Sequence, residues 1–200
     1  MRKTLLLGCL AGIALLLTCV PAMADANMLF SNAGSNSYMG VPSYPYYVSV
    51  NGGPLQFMMC LGYNEHISGG ETWMATVTPV ASLDPTNPTY LVDYQAAYLF
   101  TLAVADKGAD SDINAAIWYL YEGVPTLDTG AANYVTLAQS RSYTMGEFPS
   151  VTLYTAIPGT ESGTLGTAQN FFGTPEPSSL LLLGTGLLGA GGMLRRKFNV

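Results

Sequence analysis

Apolar residues along this chain fall into three patterns. Two runs without a single charge, residues 5–17 and 180–194, frame it. Between them the apolar positions first alternate, then recur at helical spacing, then alternate again. Residues 46–50 and 55–61 are β-rich and flank Asn51-Gly52-Gly53, which predicts a hairpin. Residues 72–80 set Trp73, Ala75 and Val77 against Thr and Met, a further strand. Residues 31–47, rich in Ser, Asn, Gly, Pro and Tyr, read as an irregular edge or exposed arm, and residues 84–88 as a turn.

The middle of the chain changes period. Residues 93–105 place Tyr94, Ala97, Tyr98, Thr101, Leu102 and Ala105 on one helical face, and Asp106-Lys107-Gly108 ends the run. A second helix is predicted over 113–122, with Ser111 or Asp112 as its cap and Gly123 with Pro125 as its stop. Ile113, Ile117 and Leu120 then share one face, with Asn114, Trp118 and Tyr121 on the adjoining stripe. A third short helix fits 131–139. Strand signals return at 151–157 and 169–172, around a Gly-rich turn at 159–166. Strands, then helices, then strands predict an α+β fold dominated by a β-sheet, sandwich or barrel-like, with two to three helices inserted mid-chain.

The flanks of the two apolar runs give each a meaning. Arg2 and Lys3 precede the first, and Ala22-Met23-Ala24 follows it with the small residues of a signal-peptidase site. This predicts a secretory signal peptide over 1–24, cut after Ala24. A lipoprotein signal fails on position: Cys9 comes too early, and Cys19 follows Thr18 where Gly, Ala or Ser is required. The second run sits between Pro175-Glu176-Pro177 and the basic triplet Arg195-Arg196-Lys197, a cluster that resists translocation and stays in the cytoplasm. At about 1.5 Å per residue the run covers only about two-thirds of a roughly 30 Å hydrocarbon core. Gly184, Gly186, Gly189, Gly191 and Gly192 weaken its helix further. That is a temporary stop more than a well-seated anchor.

The order Pro-Glu-Pro, apolar span, basic triplet resembles the PEP-CTERM sorting signal of bacterial exported proteins; an ordinary tail anchor is the plainer alternative. The resemblance implies recognition by an exosortase, a membrane protease, after membrane tethering through a C-terminal helix, then release or display at the cell surface, in association with an exopolysaccharide matrix. The expected organisation is therefore a signal peptide over 1–24, an exported body over 25–172 and a sorting signal over 173–200.

The body is the size of one domain with its own core. All 13 acids except Glu176 lie in it, but of the 7 bases only Lys107 and Arg141. Nucleic acid and anionic membrane surfaces are poor partners for such a charge balance. Cys60 is the one cysteine that survives removal of the signal peptide, so no internal disulfide is available. It is open to intermolecular pairing, to a special thiol chemistry, or to service as a small buried apolar side chain.

Met59-Cys60-Leu61, Gly69-Gly70-Glu71-Thr72-Trp73 and Asp112-Ile113-Asn114-Ala115-Ala116-Ile117-Trp118 resemble the motifs of thioester domains in bacterial surface proteins. In that family a cysteine sulfur and a glutamine side-chain carbonyl form an internal thioester that traps a nucleophile on a host or matrix surface. The resemblance implies Cys60 and Asn114 as the pair, but Asn114 is one methylene shorter than the family's glutamine. Gln95 has the right chemistry on a different motif and the preceding helix.

Other chemistry is sparse. His66 is the sole histidine, which excludes a His-His metal pair and leaves little for a Ser-His-Asp set. Asp106, Asp110, Asp112 and Asn114 lack the spacing and terminal Glu of a calcium loop. Tyr38, Tyr44, Tyr46, Tyr47 and Tyr63 suit either sugar stacking or a core. No phosphate loop, dinucleotide fingerprint or zinc spacing is present. The sequence predicts an exported surface or matrix protein, structural or adhesive, with no conventional active site and no cofactor. A covalent adhesin built on Cys60 is the first alternative and a secreted hydrolase the second.

Overall fold

A computed structural model describes residues 25–105, 110–163 and 168–174. The signal-peptide site at Ala22 and Ala24, the Pro175-Glu176-Pro177 motif, the apolar span and Arg195-Arg196-Lys197 lie outside them, as does Asp106. The described residues form eight strands: β1 Asp25–Ala33, β2 Ser37–Tyr38, β3 Val41–Pro42, β4 Tyr46–Val50, β5 Leu55–Cys60, β6 Thr72–Pro79, β7 Thr152–Ala156 and β8 Phe171–Gly173. Three helices, α1 Pro88–Ala105, α2 Asp110–Glu122 and α3 Thr129–Gln139, are inserted between β6 and β7.

Six strands close into an antiparallel barrel in the order β1-β4-β5-β8-β7-β6, and β2 with β3 forms a separate ribbon. Of the sandwich and barrel readings, the barrel is realised. Alternation along each strand sorts side chains between its lumen and its wall. Met28, Phe30, Tyr46, Val48, Met58, Cys60, Trp73, Ala75 and Phe171 point inward. Trp73 stacks on Phe171 with ring centroids 5.8 Å apart, filling the middle. The helices pack outside, on Met59, Leu61, Val80, Val151 and Phe172, and form a second core with Tyr94, Leu99, Phe100, Ile113 and Ile117. Helix α2 joins the two cores, because Ala115 and Trp118 belong to the barrel cluster.

Local chemistry accounts for the connections. Asn51 (φ 53°) and Gly52 (φ 72°) supply the two positive-φ positions of a tight hairpin, closed by Gly53 N–H to Val50 O at 2.9 Å. Gly123 (φ 71°) ends α2, its N–H bonding Tyr119 O at 2.9 Å. Asp128 caps α3, accepting from Ala131 N–H at 2.9 Å.

Four expectations are corrected. Residues 31–47 are not an exposed arm: β1 runs to Ala33, and Tyr38, Tyr44 and Tyr46 are buried. The hydroxyl of Tyr38 accepts from Asp128 N–H at 2.8 Å, tying this segment to the start of α3. Helix α1 begins at Pro88 and buries Asp93, Tyr94, Ala96, Ala97, Leu99, Phe100 and Ala103; Tyr98, Thr101 and Leu102 are half-buried and Ala105 is exposed. Ser111 and Asp112 sit inside the first turn of α2 and do not cap it. Leu120 and Tyr121 are only half-buried, whereas 113–118 are buried on every side.

Candidate functional site

Cys60 is the last residue of β5 and is fully buried. Strand alternation points its sulfur into the barrel end that α2 covers. The thiol donates to Gly62 O at 3.3 Å and accepts from Trp118 Nε1–H at 3.2 Å. Burial pushes it up from the ordinary 9.0 to about 12, and the Trp118 and Tyr46 hydrogen bonds only partly offset that. At neutral pH the sulfur is therefore a neutral thiol, a poor nucleophile.

Asn114, equally buried, lies one helical turn before Trp118 on the same face of α2. Its Nδ2 donates to Cys60 O at 2.9 Å, and its Oδ1 accepts from Tyr44 N–H at 2.8 Å. The carboxamide thus bridges the segment before β4 to the end of β5, satisfying two backbone groups that would otherwise be buried without partners. The two residues proposed as a pair from sequence are neighbours. Gln95 stays half-buried on α1 and is not a hydrogen-bond partner of Cys60.

The same helical face continues to Glu122, whose carboxylate accepts from Tyr63 N–H (3.2 Å), Asn64 N–H (3.3 Å) and Asn64 Nδ2 (2.8 Å). This clamps the loop after β5 over the thiol, and Tyr63 packs edge-on against Trp118 with centroids 5.3 Å apart. Glu65 lies alongside, its carboxyl held above the usual carboxylate range chiefly by burial. A side chain at Gly62 would run into that carboxyl, which would have to swing aside to admit it. Gln169 Nε2 donates to Glu65 O from two residues before β8. Glu65, Glu122 and Gln169 were not read from the sequence as site residues, and Tyr44 only as one of the tyrosines that suit sugar stacking or a core. Only Glu122 carried a signal, the i, i+4, i+8 spacing of Asn114, Trp118 and Glu122.

The remaining sequence candidates scatter. His66 is exposed, and Asp110 and Asp112 occupy the first turn of α2. Among the described residues no cluster of three or more His, Cys, Asp or Glu is placed to hold a metal. Nor, among them, is any helix long and apolar enough to cross a membrane. An open groove of about 580 Å³ between the end of α2 and α3 is lined by Tyr119, Val124, Pro125, Leu127 and Val135, among others, with no carboxylate, histidine or cysteine.

The PEP-CTERM protein-sorting motif matches residues 174–197, so the chain carries that motif immediately after β8. No curated protein matches the sequence. Among solved structures, the N-terminal domain of the Streptococcus pyogenes pilus tip adhesin Cpa is similar at 12% identity over 79% of this chain and 96% of that chain, with a TM-score of 0.41.

Proposed function

We propose that this chain is exported, held in the membrane by its C-terminal span, and processed by an exosortase into a surface or matrix protein. Its barrel serves there as a structural or adhesive module without catalytic activity. The observation that carries this is the sorting motif at 174–197. The buried site supports a structural body: its thiol is neutral, and both ends of the Asn114 carboxamide are committed to backbone groups. The test is to express the full chain with and without an exosortase and to weigh the products. A product shortened at the C-terminus only when the protease is present, and lost when Pro175, Glu176 and Pro177 become alanine, is the expected result. Equal shortening without the protease would sink the reading.

A second reading rests on the adjacency of Asn114 and Cys60. Attack of Sγ on the Asn114 Cγ, with loss of ammonia, would leave a thioester. A surface amine would then open it, forming an amide at Asn114 and returning the thiol. Intact mass separates the two, since the thioester is lighter by one ammonia and the non-covalent body has its full mass.

A further inference from the structure

Gly173, the last residue of β8, pairs with Thr152 and packs against Met58 in β5. Strand β8 runs antiparallel to β5, so the chain leaves the barrel heading toward the β4–β5 hairpin turn. Leu180, where the apolar span begins, follows seven residues after Gly173. Fully extended, that tether reaches at most about 25 Å. Strand β1 alone, nine residues, is about 30 Å long. A tether shorter than the barrel keeps the hairpin end beside the bilayer and the Cys60 end away from it.

The outer wall at this end is apolar. Phe57 is 57% exposed, Leu55 52% and Leu29 38%. Phe57 is the cross-strand partner of Tyr47, their rings 5.3 Å apart, and Ser49 pairs with both Leu29 and Leu55. The four side chains therefore make one patch on β1, β4 and β5. From Leu29 to Phe57 the sequence carries no charge, so the patch itself is neutral on an otherwise acidic body. On β1, β4 and β5 the one charged side chain is Asp25, exposed on the same outer face four residues before Leu29.

We infer that the patch formed by Leu29, Tyr47, Leu55 and Phe57 docks in the membrane interface while the tail holds the unprocessed protein. Tethering makes this contact intramolecular, so a small patch suffices where a free protein would need a larger one. Aromatic rings at headgroup depth are the favoured occupants of that layer. Docking sets the barrel in one orientation beside the sorting motif, which follows directly on β8. The inference rests on the membrane-tethered reading above.

The test uses the full chain carrying Phe57→Trp, with Leu137→Trp on the exposed side of α3 as the reference. Trp73 and Trp118 are buried and give both variants the same background. Each protein is reconstituted into phosphatidylcholine vesicles with and without brominated acyl chains, and flotation is scored separately. The expected result is flotation of both, with emission at position 57 blue-shifted and quenched several-fold more than at 137. Flotation with equal quenching at the two positions overturns the docking and leaves the tether standing. Failure of both proteins to float overturns the tethered reading and the docking with it. A blue shift at 57 without vesicles, accompanied by cross-linked dimers, assigns the patch to a second copy and overturns the inference.

Discussion

The indole Nε1–H of Trp118 donates to the sulfur of Cys60 at 3.2 Å, joining the middle of α2 to the last residue of β5. Because α2 belongs to both cores, this contact locks the helical layer to the barrel lumen. Trp118→Ala is expected to cost about 3–5 kcal/mol, the range for truncating a fully buried aromatic. Trp118→Phe keeps most of the packing and loses the bond to sulfur, a smaller loss of about 1 kcal/mol. Urea unfolding of the two variants measures both. Parent-like stability of the alanine variant would show that α2 is not part of the core.

Asn114 offers a second, independent test of the site. Asn114→Ala strands Tyr44 N–H and Cys60 C=O in the interior, each at about 1–3 kcal/mol. Asn114→Gln restores the side-chain length of the thioester family but adds a methylene to a filled space, at about 1–3 kcal/mol. Wild type is expected to keep its full mass and to take up no methylamine. Loss of one ammonia together with methylamine uptake in wild type, both abolished by Cys60→Ser, would replace the non-covalent body with a reactive adhesin.

The strands of the hairpin were legible because their alternation and the Asn51-Gly52 turn agree with each other. Strand β1 was not, since Leu29 points outward between the inward Met28 and Phe30 and breaks the pattern. The buried face of α1 was misplaced for a related reason: apolar side chains surround that helix, and the positions of α2, α3 and the barrel wall decide which are covered. The proximity of Cys60 and Asn114 came from family resemblance. Glu122 was signalled only by its helical spacing from Asn114 and Trp118, and nothing announced that Tyr44 completes the cluster, because its backbone N–H meets the Asn114 side chain from far away in sequence.

The buried carboxyls give the fold a pH signature. Burial raises Asp93 and Glu65, and burial with the nearby Asp128 charge raises Asp112. A carboxyl raised on folding stabilises the fold while it is protonated and loses that contribution as pH climbs through its folded value. The melting temperature is therefore expected to rise as pH falls from neutrality toward the ordinary carboxylate range. Asp84 and Glu161, lowered by local hydrogen bonds, act oppositely and only in stronger acid. Asp93→Asn keeps an acceptor for the Tyr121 hydroxyl, 2.6 Å from Asp93 Oδ1, and is expected to flatten the rise. A melting temperature that falls steadily over the same range contradicts the burial argument.

Cys60 adds a separate alkaline limb with the same sign. Its thiol, ordinarily near 9.0, is pushed up to about 12, so the stability it contributes is complete below the lower value and is lost as pH rises through the higher one. Cys60→Ala is expected to lower stability at neutral pH yet remove that part of the alkaline loss. Equal alkaline slopes for parent and Cys60→Ala would mean that the sulfur is already acylated or does not titrate with folding.

Maturation is the last expectation, and it joins the two ends of the chain to the barrel between them. Asp25 opens β1, pairing with Thr76, so cleavage after Ala24 would leave no overhang before the first barrel strand. Gly173 closes β8, and Phe171, Phe172 and Gly173 are all buried, so the sorting motif adjoins a strand that cannot be drawn out without opening both cores. Processing should therefore act on the folded body from outside the barrel wall. Edman or mass analysis of the exported protein is expected to give Asp25 as its first residue. Neutral replacements of Arg195, Arg196 and Lys197 should weaken retention of the tail and reduce processing, because the positive cluster resists translocation. Phe172→Ala, which loosens β8 without touching the motif, should leave the cleavage position unchanged while lowering stability by about 3–5 kcal/mol. An exported product that still begins at Met1, or a reporter fused after Val200 that is active only outside the cell, would reverse the assigned orientation.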